Sequence, residues 1–190
     1  MASTNHVTET FEKIDFTEKP LARGEYEECI FLQCNFSDSD LSNIHFYDCS
    51  FRGCNLSLAA LSNNTMSDVK FRDCKLLGLH FELCNPIMFS VSFEKCILNL
   101  SSFYNLKMKK TIFLECSLRE CDFTGADLSQ AVFDHSDLLG ARFDSTTLEK
   151  ADLRWAKNFA IDPEMNKITK AKFSKEGVMG LLYKWDIVIE

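Results

Sequence analysis

The chain has little of what phosphate loops and metal sites are made from. Only seven of its 190 residues are glycine, and they nowhere gather into a loop that could cradle a phosphate. Its four histidines, His6, His45, His80 and His135, are scattered without metal-ligand spacing. No Ser/His/Asp arrangement can be argued from the order of residues. Neither a long apolar segment nor a signal-peptide pattern is present. These absences point away from nucleotide-binding, metal-dependent and membrane-spanning classes. The expectation is a non-enzymatic cytoplasmic protein without cofactor or metal. Charge is plentiful, with 28 acidic and 21 basic residues giving a net −7. A chain of that sign does not bind nucleic acid non-specifically, although it can bind a protein that does.

What is abundant is a large apolar residue at every fifth position. The first run is Phe11, Phe16, Leu21, Tyr26, Phe31, Phe36, Leu41, Phe46, Phe51, Leu56, Leu61, Met66, Phe71, Leu76, Phe81. After one slip it resumes as Met88, Phe93, Leu98, Phe103, Met108, Phe113, Leu118, Phe123, Leu128, Phe133, Leu138, Phe143, Leu148, Leu153. Two residues before each of these centres sits a second, mostly small residue, often Cys, Ala or Ser. A period of five is neither the 3.6 of a helix nor the 2 of a strand. Two residues spaced two apart in an extended stretch point the same way, and the remaining polar residues must then turn the chain. Repeated strand and corner make a coil, and coils stack into a solenoid by pairing their backbones at about 4.8 Å.

The stretches Ala126-Asp127-Leu128-Ser129-Gln130, Ala141-Arg142-Phe143-Asp144-Ser145 and Ala151-Asp152-Leu153-Arg154-Trp155 resemble the repeat unit of the pentapeptide-repeat family. The resemblance covers roughly residues 11–173. It implies an all-β fold, a right-handed quadrilateral β-helix with four pentads per coil. Centres twenty apart should then share a side. One side collects Phe11, Phe31, Phe51, Phe71, Phe93, Phe113, Phe133, Leu153 and Phe173, so like stacks on like. The sorting survives the slip if the step from Phe81 to Met88 carries two extra residues. The expected organisation is a flexible N-terminus at 1–10 and one β-helix of about eight coils at 11–173 with a bulge at 83–87. Residues 174–190 would form a C-terminal cap, with a short helix over Lys175 to Lys184 started by Ser174 and a short strand at Ile187 to Ile189. Met179, Leu182, Trp185, Ile187 and Ile189 would close the open end or pair two copies as a homodimer.

Nine cysteines invite a disulfide or zinc reading. Eight sit at the small inward position, so core filling is the simpler account. Cys84, in the bulge, is expected to be partly exposed.

Three surfaces are candidates for a partner. Glu25, Glu27, Glu28, Asp48 and Asp68 gather on the Tyr26 side, either as a docking patch or as a solvated face. Glu115, Glu120, Asp134 and Asp144 ring the later coils, whereas Asp122, Asp127, Asp137 and Asp152 occupy the slot before the centre where the family's repeat itself has Asp or Asn, so the resemblance implies local hydrogen bonding for them. Leu83, Ile87, Phe89 and Tyr104 are outward or bulge residues with Lys107, Lys109 and Lys110 one coil on. They mark a partner site, or the bulge folds over and buries them.

The mixture of Phe and Cys, the mid-chain break and the ending from Lys172 to Ile189 are similar to the quinolone-resistance and microcin-immunity branch of the family. That resemblance implies a DNA-mimicking rod whose partner is DNA gyrase or topoisomerase IV, acting as inhibitor or as protector against drugs and toxins. The chain departs from that branch in two respects. Its only interruption is two residues, in place of long loops. Residues 61–110 also carry seven basic against four acidic groups. The alternative is a structural or scaffolding module for another protein.

Overall fold

A computed structural model describes residues 4–185, 187 and 188. The chain winds as one parallel β-solenoid. Its strands are β1 (Thr4–Val7), β2 (Thr10–Glu12), β3 (Gly24–Glu27), β4 (Ile30–Leu32), β5 (His45–Tyr47), β6 (Ser50–Arg52), β7 (Thr65–Arg72), β8 (Phe89–Glu94), β9 (Ile112–Leu114) and β10 (Val132–Asp134). Pairing is in register at twenty residues: Phe11 with Phe31, Phe31 with Phe51, Phe51 with Phe71. The Phe11 and Tyr26 sides, here the first and fourth, carry the strands. The Phe16 and Leu21 sides, the second and third, are held by single bridges such as Asp15 to Asn35 and Asp40 to Ala60. Eight turns separate the nine members of the first column, Phe11 to Phe173, about 38 Å at the strand spacing.

The interior is a pair of phenylalanine ladders. Phe93, Phe113 and Phe133 stack at 5.3 and 5.0 Å, and Phe103, Phe123 and Phe143 at 5.1 and 5.2 Å. The two ladders meet edge to face, as in Phe113 against Phe123 at 6.0 Å and 80°. Stacking follows from the register, and the perpendicular contact is the arrangement that ring quadrupoles favour.

Most corners turn by a left-handed residue two positions after the centre, for example Gln33 (φ 51°), Asp48 (φ 51°) and Gly125 (φ 69°). At many corners the small residue's N–H closes the turn onto the preceding centre, as Ala126 N–H does to the Phe123 carbonyl at 3.0 Å. The corner between the first and second sides does not close in this way until Ala156, whose N–H reaches the Leu153 carbonyl at 3.2 Å. There a cysteine column stands in for the missing bond. The Cys54 thiol donates to the Phe31 carbonyl (3.4 Å), and its sulfur accepts from the Cys34 N–H (3.4 Å). Ser136 continues the column with the same two contacts, to the Phe113 carbonyl (3.0 Å) and from the Cys116 N–H (3.0 Å). All nine cysteines are buried and unbridged, so Cys84 is not partly exposed as expected. It occupies the inward slot above Asn64, because the Asn85 N–H reaches the Asn64 carbonyl at 2.8 Å just as Thr65 reaches Ile44.

The slip has a different form from the two-residue insertion read off the spacing. Phe89, not Met88, pairs with Met66, while Val91 pairs with Val69. The offset between coils therefore goes from 20 to 23 and then to 22. Three residues, Pro86–Met88, are added as a 3-10 turn and one is lost after Phe89. Phe89 is consequently buried, which corrects its reading as an outward partner residue, and Met88 is 42 % exposed, which corrects its reading as a centre.

Both ends depart from expectation. Residues 4–7 and Thr10, within the stretch 1–10 read as loose, pair with β3 and β4, and His6 stacks on Tyr26 at 4.6 Å and 4°. At the other end the cap is two 3-10 turns, Gly177–Leu181 and Tyr183–Trp185, in place of an α-helix. Ser174 does start it, accepting the Gly177 N–H at 2.8 Å. Leu181 is the buried lid residue, Leu182 is half-buried, and Met179, Trp185 and Ile187 are exposed. Ile187 and Val188 are not in a strand, and Ile189 lies outside the described residues.

Candidate functional site

Alternation along β3 buries Gly24 and Tyr26 and turns Glu25 and Glu27 outward. The next residue, Glu28, is the left-handed corner. Asp48 and Asp68 take the same corner on the two following coils, tied by Glu28 N–H to the Tyr47 carbonyl and Asp48 N–H to the Ser67 carbonyl, both 2.9 Å. The first acidic set is thus assembled as expected: a pair on the fourth side and a ridge along its edge. Among the described residues none of Glu25, Glu27, Glu28, Asp48 or Asp68 forms an ion pair, although Asp68 accepts a 2.8 Å bond from the Ser90 hydroxyl. The backbones of Glu28, Asp48 and Asp68 stack about 4.8 Å apart, so the ridge concentrates like charge along one edge. A cationic partner offsets that charge.

The second acidic set is not one surface. Glu115 and Asp134 adjoin at one corner, linked by Glu115 N–H to the Asp134 carbonyl at 2.7 Å. The Asp134 carboxylate also contacts His135 Nδ1 at 2.7 Å, and His135 stacks on Trp155. Glu120 lies at the next corner beneath Gly140, and Asp144 on the third side. Asp122, Asp127, Asp137 and Asp152 are spent locally, each accepting the N–H two residues on at 2.9 to 3.2 Å.

Around the bulge, Ile87 is 91 % exposed and Tyr104 47 %. Tyr104 follows Phe103 on the third side, away from the lysines. Lys107, Lys109 and Lys110 lie on the fourth side, beside a hollow of about 480 Å³ whose lining includes Ser90, Val91 and Thr111. Lys109 pairs with Asp127 at 3.3 Å. Sequence reasoning missed that these lysines share a side with the first acidic set. The signal was there: Lys107, Lys109 and Lys110 follow Glu25, Glu27 and Glu28 by the same 82 residues, four coils plus the net insertion. It also missed the basic strip of Arg52, Lys70 and Arg72 on the first side, where Ser50 pairs with Lys70 and Arg52 with Arg72.

Among the described residues no three His, Cys, Asp or Glu side chains converge as a metal site would require, and no helix is long and apolar enough to cross a membrane. The chemistry on offer is a set of charged, flat walls. A profile for a pentapeptide repeat region matches residues 25–86, and one for eight copies of the pentapeptide repeat matches residues 121–157. The chain belongs to the pentapeptide-repeat family. No curated protein sequence matches it. Among solved structures of pentapeptide-repeat proteins, it is similar to a trypsin-treated variant of QnrB1, described as a plasmid-mediated fluoroquinolone resistance protein. That match has TM-score 0.66 and 17 % identity over 98 % of this chain and 100 % of that one. It is also similar to HetL, a pentapeptide-repeat protein involved in heterocyst differentiation regulation in the cyanobacterium Nostoc sp. strain PCC 7120. There the TM-score is 0.58 and the identity 16 %, over 90 % of this chain and 85 % of that one. At these identities the likeness is one of fold.

Proposed function

We propose that this pentapeptide-repeat protein is a non-enzymatic binding rod whose partner is a type II topoisomerase, engaged through its acidic wall in place of DNA. The observation that carries this reading is the unpaired ridge of Glu28, Asp48 and Asp68 with Glu25 and Glu27 beside it. Such a ridge on a stiff rod presents anionic charge at regular spacing with little ordering cost, which suits a basic channel built for duplex DNA. The fold shared with QnrB1, described as a fluoroquinolone resistance protein, is compatible with this reading. Glu115 and Asp134 would extend the contact along the rod, with Glu120 and Asp144 on its flanks. The exposed Met179, Trp185 and Ile187 at the far end are a proposed second contact surface between copies.

A gyrase supercoiling assay with added protein tests the reading. The expected result is inhibition, or rescue of supercoiling from ciprofloxacin. Replacing Glu27, Glu28 and Asp48 together by lysine should raise the effective concentration at least tenfold. No effect of the unmodified protein at tens of micromolar overturns the topoisomerase reading. It would favour a scaffolding module for another protein, a role that the basic strip of Arg52, Lys70 and Arg72 supports and that sits with the regulatory role ascribed to HetL.

A further inference from the structure

The fourth side is bipolar. Its Tyr26 coil exposes Glu25, Glu27 and Glu28, and its Met108 coil exposes Lys107, Lys109 and Lys110 in the matching three columns. Between them lies the Met66 coil with Ser67 and Asp68, bounded on one side by Tyr47 and on the other by the exposed Ile87 and Met88. We propose that this side is a self-complementary surface on which a second copy of the chain docks antiparallel, forming a homodimer side by side.

The symmetry follows from the columns. A two-fold axis lying along the strands at the Met66 coil reverses the order of coils and keeps each column facing itself. The Tyr26 coil of one copy then faces the Met108 coil of the other. Glu25 meets Lys107, Glu27 meets Lys109 and Glu28 meets Lys110, twice over, six contacts that outnumber the one like-charge contact of Asp68 with itself on the axis and the release of Lys109 from Asp127. The Phe46 coil faces the Phe89 coil, so Ile87 and Met88 sit against His45 and Tyr47 of the second copy. The bulge holds the two walls apart by a gap that glutamate and lysine side chains are long enough to cross. A parallel arrangement would instead set Glu25, Glu27 and Glu28 against themselves and is disfavoured by like-charge repulsion. The contact spans five coils, about 24 Å of wall, at the small end of specific interfaces. Much of its strength is electrostatic, so it should weaken with salt.

This surface overlaps the acidic wall, so a dimer would shield it, but the inference does not depend on what that wall binds. Sedimentation velocity of the full chain at 5–200 μM reads it directly. The expected result is a dimer in 50 mM salt that dissociates at least tenfold more readily in 500 mM. The triple variants E25K/E27K/E28K and K107E/K109E/K110E should each be monomeric, and their equimolar mixture should dimerise, because only the mixed pair restores opposite charges at both ends. Carbodiimide coupling should join the Glu25–Glu28 peptide to the Lys107–Lys110 peptide. Within one rod these are about 19 Å apart, beyond a zero-length link. A wild-type chain that stays monomeric at 200 μM in low salt overturns the proposal. So does a dimer indifferent to both triple variants, the outcome expected of pairing through Met179 and Trp185, and so does a mixture that remains monomeric.

Discussion

At the scale of single residues, cysteine is the informative choice. The inward slot two positions before a phenylalanine is most often filled by a small side chain, although Ile44, Val69 and Leu79 are also buried in it. Where the corner also lacks its closing backbone bond, that side chain must both donate and accept, and a thiol does so at positions such as Cys54. Burial pushes the thiols of Cys49, Cys84 and Cys121, and the Tyr26 hydroxyl, up to about 12. Thiolate is the reactive form, so these side chains are shielded both sterically and chemically. Native protein at pH 8 should react with a thiol reagent such as DTNB at none of its nine cysteines, and at all nine after denaturation. Rapid labelling of two or more in the native state would contradict the burial. The sign of the pH effect follows from the raised values. Unfolded thiols ionise from their ordinary value near 9 upward, whereas folded ones resist until about 12. Their contribution to stability is complete below pH 9 and is lost progressively between pH 9 and 12. Denaturant midpoints measured across that range should fall steadily.

At the scale of elements, the bulge and the cap show where periodicity stops being a guide. Pro86 to Met88 form a 3-10 turn because the Asn85 side chain accepts the Ile87 N–H at 3.1 Å, a local preference that moves the inward role to Phe89. The cap is set by close approach. A Cβ on Gly180 would collide with the carbonyl and ring of Phe159, and the Ile161 N–H already bonds the Gly180 carbonyl at 2.9 Å. Lys184 then clamps the last turn to Asp162 (2.8 Å) and Glu164 (2.6 Å). Replacing Gly180 by alanine should unseat the cap and speed proteolysis after Lys175 at least tenfold while leaving the coils folded. An unchanged cleavage rate would show that the contact is dispensable. The Lys184 hydrogen bond holds the Asp162 carboxyl below its ordinary value of 3.8, so the clamp persists above that value and loosens only as pH falls beneath it.

At the scale of the whole molecule, each coil touches only the coils above and below, so the rod behaves as a stack of equivalent units. Removing residues 117–136 joins Cys116 to Asp137, which already occupies the column of Ser117. That deletion should give a folded rod about 5 Å shorter by small-angle scattering, with one coil fewer. Removing 117–134 instead shifts every later centre by two positions and should prevent cooperative folding. If both deletions behave alike, the coil is not the unit of the fold.

The architecture was legible in the order of residues because each pentad repeats one local rule, and twenty-nine repetitions of it leave no competing register. Inward columns, the all-β class and the burial of the eight cysteines in the small slot follow from that rule, whereas the burial of Cys84 does not, and the local role of Asp122, Asp127, Asp137 and Asp152 came from the family resemblance. The identity of the residue that enters the core after the slip does not, because Met88 and Phe89 are both apolar and adjacent. Three-dimensional pairing with Met66 chose Phe89. The same holds for the surfaces. Periodicity says which residues face outward, but only stacking says which of them share a wall. Glu27 and Lys109 are 82 residues apart and yet stand in one column, because winding converts a fixed sequence interval into nearness in space; the net two residues of the bulge were readable from the spacing, but their division into three gained and one lost was decided by the folded chain.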